Sequence, residues 1–146
     1  MRSSAASDVY KRQIEASIKM GVSYQIQGRI NEGFYDTSVE QTLNREFCYW
    51  KEIRHRIFDI IKGKRLPLSC KIVLGLSKQS ISYLIAHNNS SFREEDIEGI
   101  YVNILYDPKN LLITTGISYK NFYLDKSLEY AFDEYLAKFL KEKAVI

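Results

Sequence analysis

The strongest pattern of hydrophobic and polar positions runs from Cys48 to Lys62. Apolar residues recur there at the three- and four-residue spacing of one helix face, and charged residues occupy the positions between them. The apolar positions are Trp50, Ile53, Ile57, Ile60 and Ile61. Pro67 follows closely, as proline often does after a helix end. The pattern predicts an amphipathic helix over Cys48–Lys62.

Two further helices are predicted by capping residues together with apolar spacing. Ser77 is a residue type that caps helices, and it precedes an apolar-periodic stretch, Lys78–His87. The closing stretch, from Lys126 to about residue 143, follows Asp125 and contains Ser127, and either residue is suited to cap it. Acidic residues come early in this last helix and lysines come late, as the helix dipole favours.

Two hydrophobic stretches of strand length lie outside the C-terminal half. The stretch Ile18–Ile30 alternates loosely and predicts one or two strands that end in a turn. The stretch Leu68–Leu76 predicts a strand with one apolar face. The residues on that face are Cys70, Ile72 and Leu74.

A hairpin is predicted around the four residues Asp107–Asn110. These form a natural β-turn between two apolar stretches, Ile100–Tyr106 and Leu111–Ser118. Gly116 predicts a β-bulge in the second strand. Residues Tyr119–Leu124 predict an extension or a bend of the same strand.

Weaker signals concern the connections. Residues 31–44 are polar and predict a loop with a short helix near Val39–Leu43. Ser91 followed by Glu94 has the spacing of a capping box and predicts a helical turn over Phe92–Glu98.

The order of these elements predicts an α+β fold. The elements follow one another as strands, a helix, a strand, a helix, a hairpin and a helix. We expect the strands to form a mostly antiparallel sheet and the helices to pack on one face of it. A βαβ unit inside this arrangement stays open as an alternative. The length of 146 residues and the 45% hydrophobic content are typical of a single domain.

The first thirteen residues are expected to be foreign to the protein. Ser3–Gln13 is identified, codon by codon, as the translation of a transposase adapter that is used to prepare sequencing libraries. We therefore expect a non-native segment at residues 1–13 and a single α+β domain at residues 14–146 that lacks part of its native N-terminus.

The charge balance argues against a nucleic-acid partner. The whole chain has 21 basic and 18 acidic residues, but 18 and 17 remain without residues 1–13. A net charge of about +1 gives no electrostatic footprint for a polyanion. We expect a protein or a small ligand as partner, with a homodimer among the protein options. No apolar run approaches the length of a membrane helix, and we expect a cytoplasmic protein.

The best candidate for an anion site is a basic cluster near the end of the first helix. Its candidate residues are Arg54, Lys62, Lys64 and Arg65. A helix C-terminus repels anions, so a solvated face that complements the helix dipole is the simpler interpretation.

Hydroxyl-bearing residues of the last strand form a second candidate. Thr114, Thr115 and Ser118 lie beside Gly116 and would suit the edge of a ligand site. Lys126 follows Asp125, and the two could act as a pair, although Asp125 is equally well explained as a helix cap.

No metal or cofactor is expected. Neither histidine, His55 or His87, has metal-ligand spacing with a cysteine or a carboxylate. Two cysteines, Cys48 and Cys70, are ordinary for a chain of this size, and we expect inert buried thiols rather than a disulfide.

From about Glu15 to Ile146 the chain resembles a family of bacterial proteins, common in clostridia and related anaerobes, that is catalogued as a domain of unknown function. The resemblance rests on short blocks that occur in order. These are Gly28–Asn31, Trp50 with Glu52–Arg54, Ile61–Lys64 with Pro67–Leu68, Gly99 with Asn103–Ile104, Thr114–Gly116 with Ser118, and Leu124–Leu128. The resemblance implies a further helical segment before the first strand and implies no reaction or ligand.

Taken together, the sequence favours a non-enzymatic binding or interaction domain. The first alternative is a small enzyme whose site is assembled from dispersed polar residues. The groups to inspect for it are Ser118, Lys126, Arg54 and Lys62. The second alternative is a nucleic-acid accessory protein that uses the basic patch from Arg54 to Arg65.

Overall fold

A computed structural model describes residues 12–36, 46–88 and 91–142 of the protein. The described residues form five strands, three helices and one 3₁₀ turn. The strands are β1 (Arg12–Lys19), β2 (Ser23–Gln27), β3 (Ser69–Gly75), β4 (Ile97–Asp107) and β5 (Asn110–Tyr119). The helices are α1 (Trp50–Ile61), α2 (Lys78–His87) and α3 (Ser127–Glu142), and the 3₁₀ turn is Glu94–Asp96.

The five strands form one sheet in the order β2-β1-β3-β4-β5, and each pair of neighbours is antiparallel. The α+β fold with a mostly antiparallel sheet is confirmed. A βαβ unit with hydrogen-bonded parallel strands does not occur among the described strands. Instead β2 and β3 run in the same direction with β1 between them, and α1, which connects them, packs against β1.

The core lies on one face of this sheet. Alternate strand residues point into it, as a half-covered antiparallel sheet requires. They are Ala16, Ile18, Cys70, Ile72, Leu74, Ile97, Ile100 and Val102. The helices cover this face with Ile57, Ile81, Leu84, Leu128, Phe132 and Leu136, all buried. Each large apolar side chain that is removed from water in this way contributes about 1.5–3 kcal/mol.

The predicted caps of the last two helices are confirmed. The Ser77 hydroxyl accepts a hydrogen bond from the Ser80 amide at 3.2 Å. The Asp125 carboxylate accepts one from the Ser127 amide at 2.9 Å. These bonds satisfy amide groups that a helix start leaves without a partner.

Strand β4 begins earlier than predicted, and its bulge lies elsewhere. The register between β4 and β5 shifts between Ile97 and Gly99, whereas Gly116 pairs regularly with Tyr101. The prediction of a bulge at Gly116 is therefore wrong. The extra residue, Glu98, resets the alternation so that Ile97 and Ile100, three positions apart, both enter the core.

The predicted capping box at Ser91 and Glu94 is also wrong. The Ser91 hydroxyl donates to Asp125 instead, and the Arg93 amide donates to Asp96 at 2.8 Å. Only the 3₁₀ turn Glu94–Asp96 forms in this region. Strand β5 ends at Tyr119, so the predicted extension of this strand to residue 124 does not form.

Strand β1 begins at Arg12 and so includes the last two residues of the predicted adapter segment. The rest of that segment and the predicted short helix at Val39–Leu43 lie outside the described residues. None of the described helices is long and apolar enough to cross a membrane.

Candidate binding surface

The second face of the sheet, here called the open face, carries side chains that are exposed or half-buried. Glu15, Ser17 and Lys19 of β1 and Lys71 of β3 are exposed. Half-buried side chains of β3, β4 and β5 also lie on this face. They are Val73, Tyr101, Asn103, Leu105 and Thr114. The open face thus mixes apolar side chains with polar and charged ones.

Tyr101 lies at one end of the open face among three glycines. It pairs with Gly75 of β3 and with Gly116 of β5, and Gly99 precedes it on the same face of β4. A Cβ atom added at Gly99 would lie 2.6 Å from Cζ of Tyr101, so the aromatic ring lies across the Gly99 backbone. A Cβ atom at Gly116 would meet no atom within 4 Å. The ring therefore lies over Gly99 and leaves the space above Gly116 open.

A depression of about 700 Å³ occupies the opposite end of the open face. Cross-strand pairing places Lys71 between Ser17 and Leu105, and Leu105 beside Leu112. Lys19 lines the same depression. The depression therefore has an apolar floor and amines at one side. We call it the Lys19/Lys71 depression.

The charged residues around this depression differ in whether they bind another group of the chain. Asp107 accepts hydrogen bonds from the amides of Lys109 and Asn110, at 2.8 and 2.9 Å, and so stabilises the hairpin turn. None of the ion pairs between described residues involves Lys19 or Lys71. Their amines are therefore available to an acidic group outside the chain.

The structure separates the three hydroxyl-bearing candidates of β5. Thr114 and Ser118 lie on the open face, and the Ser118 hydroxyl donates to Glu98 at 3.0 Å. Thr115 points to the covered face, where its hydroxyl donates to Asp133 of α3. The three therefore do not form a single ligand site, because neighbouring residues of a strand point to opposite faces.

The basic candidates lie on another part of the molecule. Arg54 is exposed in the first half of α1, and Lys62, Lys64 and Arg65 are exposed beyond its C-terminal end. The Lys62 amine lies 2.9 Å from Asp59. The hydrogen bond and positive charge of Lys62 hold the pKa of the Asp59 carboxyl below its ordinary value.

These cations do not meet the hydroxyl groups of β5. Helix α1 packs against β1, which is separated from β5 by two strands, or roughly 14 Å of sheet. Lys126, at the start of α3, lies 3.6 Å from Glu129. Arg54 and Lys62 therefore cannot share one reaction centre with Ser118.

Three aromatic rings pack together where β5 leads into α3. The ring centroids of Phe92, Tyr119 and Tyr123 lie 5.1 to 5.5 Å apart. The Tyr123 hydroxyl donates to Asp96 at 3.0 Å. The pKa of Asp96 lies below its ordinary value, first because the Arg93 amide donates to it and then because of Tyr123. This cluster closes one end of the core.

The Tyr119 hydroxyl oxygen is buried and has no hydrogen-bond partner among the described residues. Burial, together with the negative charges of Glu129 and Asp125, raises the pKa of Tyr119 to about 12. The neutral phenol is thus strongly favoured at this position.

Neither Cys48 nor Cys70 forms a disulfide, and burial raises the pKa of Cys70, which disfavours the thiolate. Within residues 12–36, 46–88 and 91–142, no group of three or more histidine, cysteine, aspartate or glutamate side chains could hold a metal ion.

Sequence reasoning did not identify the residues that define the open face. Tyr101, Leu105 and Leu112 look like ordinary strand residues, and Lys19 and Lys71 lie far apart in the chain. The alternation in β3 was a usable signal for which residues share a face. The pairing of β1 with β3, which brings the two lysines together, was not encoded in any local pattern.

Comparison with known protein families matches residues 10–146 to a family of unknown function, DUF5721. No curated protein and no solved structure matches the chain. The match covers all five strands and all three helices, so the fold described above is that of the matched region.

Proposed function

Because the chain belongs to the DUF5721 family, to which no function is assigned, we propose a function from its geometry: the domain binds a protein partner on the open face of its sheet. The observation that carries the proposal is the Lys19/Lys71 depression. Two amines without a counter-ion among the described residues flank an apolar floor there. The proposal makes the protein a binding module rather than an enzyme.

The chemistry of the depression specifies what the partner presents. Leu112 is 53% exposed, and Leu105 lies beside it in the sheet. Covering the two leucines with an apolar side chain would remove them from water, at about 25 cal/mol per Å² of apolar surface. A carboxylate on the same partner would face Lys19 and Lys71. The partner segment therefore carries an acidic residue next to an aliphatic or aromatic one.

Charge favours a protein over a nucleic acid on this face. Glu15 and Glu98 lie on it together with Lys19 and Lys71, so the face carries both signs. A phosphate backbone would need a continuous row of cations. The basic residues near the end of α1 do not extend this face, because α1 packs on its opposite side.

Selection from a random peptide library displayed on phage tests the proposal. The full chain is immobilised, and the enriched peptides are sequenced. We expect peptides that combine acidic and large apolar residues to be enriched. The variant Lys71→Glu should lose this enrichment, because it reverses a charge in the depression.

The matched control is Lys78→Glu, which makes the same change of charge on an exposed residue at the start of α2. It should enrich the same peptides as the unchanged protein. The proposal fails if no such peptides are enriched, or if Lys71→Glu selects them as well as Lys78→Glu does while both remain folded.

A further inference from the structure

Strand β5 forms one edge of the sheet. It pairs with β4 on one side, and no strand pairs with its other side within the part of the chain that the structure describes. In an antiparallel pair every second residue turns its N–H and C=O groups away from the neighbouring strand. These groups of β5 are therefore directed outward and can pair with a further strand.

The edge at β5 lacks the features that usually prevent such pairing. Natural edge strands are protected by charged residues, proline, bulges or short length. Strand β5 is ten residues long and has no charged residue or proline from Leu111 to Tyr119. The opposite edge strand, β2, has only five residues and is mostly polar.

A groove of about 480 Å³ runs beside this edge, between β5 and α3. Its apolar walls are formed by Ile113 from the strand and by Leu136, Ala137 and Leu140 from the helix. The core is thus not fully covered along β5. A strand added to this edge would place alternate side chains in the groove.

We propose that the added strand is β5 of a second copy of this chain, so that two sheets join into one of ten strands. Two antiparallel β5 strands can pair about a two-fold axis at Thr115. This register sets Ile113 opposite the partner's Ile117 and Leu111 opposite the partner's Tyr119. Apolar residues then meet apolar residues along the covered face, and the two threonines meet at the axis.

The direction of α3 determines which of its charged residues would meet across the axis. Asp133 contacts Thr115, and Leu136 and Leu140 lie beside Ile113, so α3 runs antiparallel to β5. The two-fold axis therefore also makes the two α3 helices antiparallel. Because Asp133 lies beside the axis, Glu129 of one copy would lie near Lys138 of the other. The two Asp133 carboxylates would lie on either side of the axis, each accepting a hydrogen bond from its own Thr115.

The oligomeric state of the full chain tests this proposal. We expect sedimentation at increasing protein concentration to show a reversible change from the 17.1 kDa monomer to a dimer. Thr115→Lys sets two lysines opposite each other at the axis, and Leu111→Lys sets a charge opposite the partner's Tyr119. The variant with both changes should weaken dimerisation at least tenfold. Leu111→Lys alone should also weaken dimerisation, and its matched control is Val22→Lys near the opposite edge, because Val22 is 62% exposed and Leu111 is 63% exposed.

Hydrogen–deuterium exchange of the unchanged protein identifies the interface without a variant that could misfold. Amides of residues 110–119 should become protected as concentration rises, whereas those of residues 23–27 should not. A monomer at all concentrations up to about 100 µM overturns the proposal. So does a dimer without added protection of β5, and so does a monomer that adds a foreign extended peptide at this edge.

Discussion

On the open face, the Tyr101 ring lies across the backbone of Gly99. An alanine Cβ at position 99 would overlap the Tyr101 ring, which would have to rotate away from the sheet. We expect Gly99→Ala to lower the free energy of unfolding by about 1 kcal/mol, because the atoms that must move are at the far end of the half-buried Tyr101 side chain. In a Tyr101→Ala background the same change should be neutral or stabilising, because alanine restricts the unfolded chain.

Urea denaturation of the four proteins in this cycle measures the coupling between the two positions. Gly116→Ala is the control, because its Cβ would meet open space, and its effect should stay below about 1 kcal/mol. Equal losses from Gly99→Ala with and without the Tyr101 ring would contradict the contact.

Two tyrosines of the same aromatic cluster should respond in opposite ways to loss of their hydroxyl groups. The Tyr119 hydroxyl is buried without a partner among the described residues, whereas that of Tyr123 donates to Asp96. We expect Tyr119→Phe to leave the free energy of unfolding unchanged or to raise it. Tyr123→Phe should lower it by about 1 kcal/mol. Thermal melts at pH 7 distinguish the two.

The raised pKa of Tyr119 predicts a loss of stability in alkali. Above pH 10 the unfolded chain releases the phenol proton that the folded chain retains up to about pH 12. The unfolded state then binds fewer protons than the folded state. The free energy of unfolding therefore falls as the pH rises from about 10 to about 12. Tyr119→Phe should lose less stability than the unchanged protein between pH 9 and 11. An identical loss in both proteins would show that Tyr119 does not titrate abnormally.

At the scale of elements, the cap of α2 can be tested against a hydroxyl in the same helix. The Ser77 oxygen accepts from the Ser80 amide, whereas the Ser82 hydroxyl donates to the Lys78 carbonyl inside the helix. We expect Ser77→Ala to cost about 1 kcal/mol of stability. Ser82→Ala should cost little, because alanine has the higher helix propensity. Comparable losses in the two variants, measured by urea denaturation, would contradict the cap.

Helices and hairpin were predictable because their signals are local. The apolar spacing of α1, the caps at Ser77 and Asp125, and the turn at Asp107–Asn110 each lie within a few residues of the element that they define. The start of β4 was not predictable in this way. The bulge at Glu98 lets both Ile97 and Ile100 enter the core. Buried residues three positions apart are typical of a helix, so this spacing does not indicate a strand.

At the scale of the whole molecule, the order of strands determines which candidate residues can meet. Arg54 of α1 and Ser118 of β5 can be grouped from the sequence only by their chemistry, and the fold places them at different strands and on opposite faces of the sheet. Long-range pairing also creates the Lys19/Lys71 depression. Which residues share the open face therefore depends on the pairing of strands that lie far apart in the chain, and this pairing cannot be predicted from neighbouring residues.

The two proposals concern different surfaces of one sheet. Binding of a partner uses side chains of the open face, whereas pairing of two copies uses the backbone of the β5 edge. A dimer formed at this edge would leave both open faces accessible and would present two equivalent partner sites. Either proposal can therefore fail without the other.

The central claim is that one face of the sheet is covered by the core and the other is free to bind. Free energies of unfolding of Ile72→Ser and Leu105→Ser, measured by urea denaturation of the full chain, test it most directly. Ile72 points to the core and is 8% exposed, whereas Leu105 lies on the open face of the neighbouring strand. We predict a loss of about 2–5 kcal/mol for Ile72→Ser and of at most about 1 kcal/mol for Leu105→Ser. Equal, large losses at both positions would show that both faces are covered, and would contradict the account.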